Sequence, residues 1–257
     1  MINKIKKIID KKNKSKIVSL TAYSKNIAQI LDKYCDIVLV GDSMANVLYG
    51  MRNTHRITLK NIAEHALSVK KGIKNSLLVV DMPKGTYENK QIAKKNAKFL
   101  MKFSNCDAVK IESNKNNFNI IEELVKSKIP VMGHIGYTPQ FKKKFKIEGK
   151  TLKKAKFLVE EALKIQEAGA FSIVLECITS NTSKIITQNL KIPTIGIGSS
   201  AHCDGQILVT DDMLGLSGFY PKFVKKYANI NRVIEKSVKK YSKDVKLKKF
   251  PLKKNHF

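Results

Sequence analysis

Four carboxylates stand at the ends of short apolar runs: Asp42 closes VLVGD, Asp81 closes LLVVD, Glu112 closes AVKIE and Glu176 closes IVLE. Taken singly, each acid reads more simply as a helix cap or the partner of a surface lysine. Four together point to one place where the ends of several strands meet, and ionised groups gathered there would repel one another unless a cation or a proton sat between them. The acids offer only oxygen, which suits a hard divalent ion. Magnesium keeps several waters and needs one or two direct carboxylates, whereas zinc recruits histidine or cysteine. Ser43, Lys110 in VKIE and His134 in GHIG fall on the same ends and supply donors for an anion. A metal flanked by a lysine, a histidine and one extra acid suits a small 2-oxo acid held through its carboxylate and carbonyl oxygens. The metal would stabilise the charge of an enolate, and the remaining acid would remove the proton.

Gathering strand ends in this way requires parallel strands. Strand candidates are KIVSLTAY (Lys16 to Tyr23), DIVLVGD (Asp36 to Asp42), LLVVDMP (Leu77 to Pro83), AVKIE (Ala108 to Glu112), PVMGHIG (Pro130 to Gly136), SIVLE (Ser172 to Glu176) and TIGIG (Thr194 to Gly198), with a weaker eighth near Gln206 to Thr210. Between them lie helical spacings: Leu59, Ile62, Ala63, Ala66 and Val69 after a Thr58 cap and before Gly72, then Asn89 to Met101, Phe118 to Lys126 and Leu152 to Ala168. Strands without clean alternation are buried on both faces, so this rhythm predicts a parallel sheet of β/α units. About eight units in about 250 residues fit a closed (β/α)8 TIM barrel, an α/β fold, better than an open doubly wound sheet.

No low-complexity linker divides the chain, so a single domain is expected over residues 1–257, with an N-terminal helix in residues 1–15 and a basic C-terminal extension from about 225 to 257. Ile2, Ile5, Ile8 and Ile9 share one face of that first helix, which reads as a plug for the barrel bottom. No apolar run reaches the ~18 residues of a membrane span, and the first segment is no signal peptide, so a cytoplasmic protein is expected. Cys35, Cys106, Cys177 and Cys203 are scattered and read as reduced, mostly buried thiols. His65 reads as packing or as support for the site, and Met44 and Met51 as core filling.

The net charge of +28 invites a nucleic-acid reading. Only Arg52, Arg56 and Arg232 among the 49 basic residues are arginine, however, and the lysines are spread along the chain beside many Asn and Ile. Base and phosphate readers exploit arginine's planar fork, so compositional bias is the simpler cause. Neither a nucleic acid nor a membrane is expected as partner. The densest runs, Phe141 to Lys146 and Lys243 to Lys254, keep a basic patch as the remote alternative.

In order along the chain, VLVGDS, LLVVDMP, VKIE, GHIGYTPQ (Gly133 to Gln140), VLEC and GIGSSAHCDGQILV (Gly196 to Val209) resemble the ketopantoate hydroxymethyltransferase family over roughly Ile17 to Phe223. The resemblance implies a (β/α)8 barrel that transfers a one-carbon unit from methylene-tetrahydrofolate to α-ketoisovalerate in pantothenate synthesis. It implies that Asp42 and Asp81 bind Mg2+ with Glu112 beside it, that Ser43, Lys110 and His134 hold the oxo acid, and that Glu176 is the base. It also implies a homo-oligomer, commonly a decamer. Departures from the family pattern are Ser200 and Ala201 in place of glycine and asparagine, Lys84 for an aromatic, Asp211 for a histidine, and a shortened loop FKKKFKIEGK. None removes a ligand or the base; they bear on the folate contacts. Gly196 and Gly198 read as a tight turn or a weak phosphate cradle. A carbon-carbon lyase of the phosphoenolpyruvate mutase and isocitrate lyase type would use a similar metal and oxo acid, but such lyases carry a cysteine-bearing loop with no counterpart here.

Overall fold

The computed structural model describes residues 2–114, 116–142, 144–218 and 220–256, without the side chain of Ile2. Lys143 of the FKKKFK run lies outside the described residues. Two compact units are present, Met1–Val209 and Thr210–Phe257.

In the first unit, α1 (Ile2–Ile9) precedes β1 (Ile17–Thr21), α2 (Lys25–Leu31) and β2 (Ile37–Val40). Two short turns of helix, α3 (Met44–Val47) and a 3-10 turn at Thr54–Arg56, lead to α4 (Leu59–Lys70) and β3 (Leu77–Asp81). Next come α5 (Lys90–Ser104), β4 (Ala108–Glu112), α6 (Phe118–Lys126), β5 (Val131–Gly136), α7 (Leu152–Glu167), β6 (Ser172–Glu176) and α8 (Ser180–Asn189). β7 (Thr194–Ile197) runs into β8 (Gly205–Leu208) through a turn with no helix. All eight strands pair in parallel and in sequence order, and β8 closes on β1. The predicted closed (β/α)8 barrel is what the chain forms.

The helix starts follow from local chemistry. Thr58 and Asn61 form a reciprocal capping box at α4, and Asn89 and Thr151 accept from Ile92 N and Lys154 N at α5 and α7. At its end α5 passes into Asn105 at φ 53°, the left-handed position that asparagine tolerates.

Two apolar layers form the core. One lies between sheet and helices, where Val38, Val40, Leu78, Val80, Val109 and Ile111 meet helix residues such as Ile62, Ala66 and Leu100. The other fills the lumen with Ile17, Ile37, Leu77, Val79, Met132, Val174, Ile195 and Ile207. Ile8 of α1 belongs to this lumen layer and Ile5 packs against it. The first helix therefore plugs the bottom, although it ends at Ile9, and Ile9 itself is exposed because its face turns away from the strands. Charged ties complete the plug. Lys4 lies 3.8 Å from Asp107, Lys11 lies 2.6 Å from Asp36, and Lys12 lies 2.8 Å from Asp204 in a buried pair. Each of these acids also accepts from a strand N–H near the barrel bottom: Leu78 N to Asp107, Val18 N to Asp36 and Thr194 N to Asp204.

The second unit holds α9 (Thr210–Met213) and the amphipathic α10 (Ile230–Lys246), which Asn229 caps by accepting from Arg232 N. All four cysteines are free and buried, and among the described residues no helix is long and apolar enough to cross a membrane.

Candidate active site at the strand ends

Period-two alternation decides which side chains point into the barrel. Leu77 and Val79 line the lumen, so Asp81 on the same parity lies above them. Ala108, Lys110 and Glu112 repeat the pattern on β4, and Met132, His134 and Gly136 on β5. Register sets the neighbours: Asp81 opposes Lys110, Glu112 opposes His134, and Gly136 opposes Glu176. Asp42 does not follow alternation, which would put it with Val38 and Val40 on the helix side. β2 stops at Val40, and the turn through Gly41 brings Asp42 around until its N–H donates to Asp81 Oδ2 at 2.9 Å. Gly41 has no side chain to obstruct this: a Cβ there would sit 3.0 Å from Ser43 Oγ and 3.5 Å from Asp81 Oδ2.

The predicted residues converge. Lys110 Nζ forms a buried ion pair with Asp81 Oδ1 at 2.7 Å and lies 3.4 Å from His134 Nδ1. His134 Nε2 lies 3.1 Å from Glu176 Oε2. Ser43 Oγ hydrogen-bonds with Tyr23 OH at 2.9 Å, and His65 bridges Tyr23 O and Tyr49 OH, a supporting place that agrees with its sequence reading.

Charge decides the chemistry. Burial and the nearby Asp81 push the Asp42 carboxyl up to about 7, against the pull of Lys110 and Gln140. Burial and Asp42 hold Glu112 well above the carboxylate range. Burial also raises Glu176, to about 8. Burial pulls Lys110 down, but Asp81, Glu112 and Asp42 outweigh it and keep the ammonium above its ordinary value. His134 is driven well below its ordinary value by burial and by Lys110, so the ring is neutral at physiological pH. With its one proton on Nε2, the ring keeps the Nδ1 lone pair for the Lys110 ammonium.

These acids fit a hard divalent cation. Glu112 Oε1 is buried with no hydrogen-bond partner among the described residues. The raised Asp42 and Glu112 mark a site that takes up positive charge, as protons or as a metal. Among the described residues no three acidic, imidazole or thiol groups make a metal cage by themselves, and magnesium does not ask for one, because water and substrate oxygens fill its remaining positions.

Two features escaped the sequence reading. Gln140, in the loop after β5, donates from Nε2 to Asp42 Oδ2 at 2.9 Å and from its main-chain N to Glu112 Oε2 at 3.0 Å. The 3-10 turn at Thr54–Arg56 fastens that loop, since His55 Nε2 lies 3.0 Å from the Pro139 carbonyl. Only the motif GHIGYTPQ signalled Gln140, and it said nothing of which acids the amide would reach. At Gly196 and Gly198 the chain makes a tight turn: Gly198 has φ 57°, and a Cβ at Gly196 would meet the Gln206 amide at 3.0 Å and Cys203 Sγ at 3.1 Å.

Known proteins resemble this chain along nearly all of its length. A family model described as ketopantoate hydroxymethyltransferase matches residues 2–253. The 3-methyl-2-oxobutanoate hydroxymethyltransferase of Pelagibacter ubique (strain HTCC1062) is 51% identical over 257 residues, covering 100% of both chains. Its namesake in Clostridioides difficile (strain 630) is 46% identical over 249 residues, 94% of this chain and 90% of that protein. Among solved structures, 2,3-dimethylmalate lyase, a member of the PEP mutase/isocitrate lyase superfamily, superposes with a TM-score of 0.64 over 95% of this chain and 87% of its own. At 14% identity that likeness concerns the fold alone.

Proposed function

The chain belongs to the ketopantoate hydroxymethyltransferase family, a family of transferases, and on that footing we propose that it moves a hydroxymethyl unit from methylene-tetrahydrofolate to 3-methyl-2-oxobutanoate (α-ketoisovalerate), giving ketopantoate for pantothenate synthesis. The observation that carries this reading is the meeting of an acid-lysine cluster with a separate raised carboxyl, Glu176, on one barrel rim. Asp42 and Asp81 hold a magnesium ion, with Glu112 beside it. When bound, that ion supplies Lewis-acid stabilisation of the negative charge that collects on the substrate's carbonyl oxygen. Lys110 binds the oxo acid by its charge, and Ser43 and His134 by hydrogen bonds. Glu176, less buried than its neighbours, takes the proton from the carbon next to the carbonyl. That carbon bonds to the methylene carbon as the latter's bonds to the folate nitrogens break, water supplying the hydroxyl and tetrahydrofolate leaving. A cytoplasmic homo-oligomer, as large as a decamer, completes the proposal, and light scattering measures it.

The test combines 3-methyl-2-oxobutanoate and methylene-tetrahydrofolate with and without Mg2+, and follows product together with exchange of the substrate's proton in heavy water. Product in the complete mixture alone, and exchange that Glu176→Gln slows by about 10²–10⁴-fold, supports the reading. A Glu176→Gln protein that exchanges as fast as the original removes Glu176 from the mechanism. Pyruvate released from a branched or dicarboxylic acid without folate would make the protein a lyase instead.

A further inference from the structure

Gln140 is almost wholly buried, at 1% exposure, and each of its side-chain polar atoms is engaged. Nε2 donates to Asp42 Oδ2 at 2.9 Å and to the Met82 carbonyl at 3.1 Å, while Oε1 accepts the Tyr87 hydroxyl at 2.5 Å. Two acceptors on one side and a donor on the other settle which way round the amide lies; turned over, its oxygen would face two other oxygens. Tyr87, itself buried, comes from the loop after β3. The main-chain N–H of Gln140 meanwhile donates to Glu112 Oε2 at 3.0 Å. One residue thus grips an oxygen of each of two carboxylates, Asp42 in the turn after β2 and Glu112 on β4, and those two strands do not pair with each other. A carboxylate held by one oxygen presents the other in a set direction, and on Glu112 that other oxygen, Oε1, has no hydrogen-bond partner among the described residues.

We infer that Gln140 is a positioning residue for the cation site: its amide and its backbone N–H set the facing oxygens of Asp42 and Glu112, and Tyr87 locks the amide in the orientation that does so. The inference rests on the reading that this acid cluster binds a hard divalent cation. Groups that orient ligands from behind typically contribute about 10–100-fold to metal affinity. The amide of Gln140 holds Asp42 directly, so its side-chain loss belongs in that range, while the main-chain bond to Glu112 persists.

The experiment measures Mn2+ binding to the full chain without substrate, by the electron paramagnetic resonance of free Mn2+, for the original protein, Asp42→Asn, Gln140→Met and Tyr87→Phe. Gln140→Met keeps length and burial and removes the amide; Tyr87→Phe removes one hydroxyl and stands in if the first variant fails to fold. Circular dichroism establishes that each protein measured is folded. A role confined to packing would lower the thermal midpoint and leave the Mn2+ dissociation constant of the folded protein where it was. The expected result is binding by the original protein, none by Asp42→Asn, affinity about 10–100-fold weaker in Gln140→Met, and a weakening in the same direction in Tyr87→Phe. Unchanged affinity in either folded variant, with Asp42→Asn still dead, overturns the inference and leaves the cation reading standing. Failure of the original protein to bind Mn2+, or binding by Asp42→Asn equal to it, overturns the cation reading and the inference with it.

Discussion

Replacing Asp42 by asparagine should make the metal-free protein more stable and the metal-loaded protein inactive. The carboxyl titrates near 3.8 in the open chain and at about 7 in the barrel, because burial and Asp81 both disfavour its charge. Below about pH 4 both states hold the proton and there is no penalty. Between about pH 4 and 7 the folded protein keeps a proton that the unfolded chain has released, so folding loses about 1.4 kcal/mol for each pH unit as pH rises. Above about pH 7 the full penalty of roughly 4 kcal/mol is in force. Asparagine has no such titration. The advantage of Asp42→Asn should therefore be small near pH 4 and grow to as much as about 4 kcal/mol at pH 8, a rise in midpoint of about 10 °C for a chain of this size. Thermal unfolding in EDTA at several pH values, followed by circular dichroism, measures it. Adding Mg2+ at about 100 times its dissociation constant should then stabilise the original protein by about 2.7 kcal/mol and leave the variant unmoved. An advantage that does not widen with pH, or an original protein that is the more stable of the two at pH 8 in EDTA, would refute the reasoning.

Other outcomes follow from the same geometry. Proton exchange from the substrate needs the ionised form of Glu176, which burial raises to about 8, so its rate should climb about tenfold per pH unit below that value and level off above it; a rate that falls over that range excludes Glu176 as base. Lys12→Met would leave Asp204 buried without its ammonium and should cost about 3–5 kcal/mol in a urea titration, against which a loss below about 1 kcal/mol would count. Gly136 sits at φ 95°, and a Cβ there would lie 2.1 Å from the Glu176 carbonyl oxygen. Gly136→Ala should therefore destabilise by more than about 2 kcal/mol and disturb exchange, and a fully active, equally stable variant would show that this corner of the rim can shift freely.

Most of the site was legible because alternation within a strand is a local rule. Once Leu77 and Val79 are placed in the lumen, Asp81 has nowhere else to go, and the same holds for Glu112 after Lys110. The rule misplaces Asp42, because the strand ends at Val40 and the turn through Gly41 redirects the chain, and no periodicity announces where a strand stops and the backbone turns inward. Gln140 lies beyond the end of β5, where position depends on a loop path with no repeat. The lysines were a different failure. Lys4, Lys11 and Lys12 look like dozens of exposed ones, and compositional bias accounts for their number, yet each finds an acid at the barrel floor. Pairing of that kind depends on partners far along the chain. Strand limits differed by a residue or two where a polar neighbour continued the extended run, as at Lys16 and Asp36, whereas Ala108–Glu112, Phe118–Lys126 and Ser172–Glu176 agree with the elements found.

The floor of the barrel also dictates when the molecule can finish assembling. Lys12 and its partner are 192 positions apart, and a ribosome adding ~5–20 residues per second takes roughly 10 to 40 seconds to cover that gap. Throughout that interval Lys12 lacks its partner acid, while β1 waits with one edge unpaired until β8 arrives. Such distant contacts slow folding and expose the nascent chain to wrong associations. The same knot of charge that seals the finished enzyme thus makes its first-made residues among the last to settle.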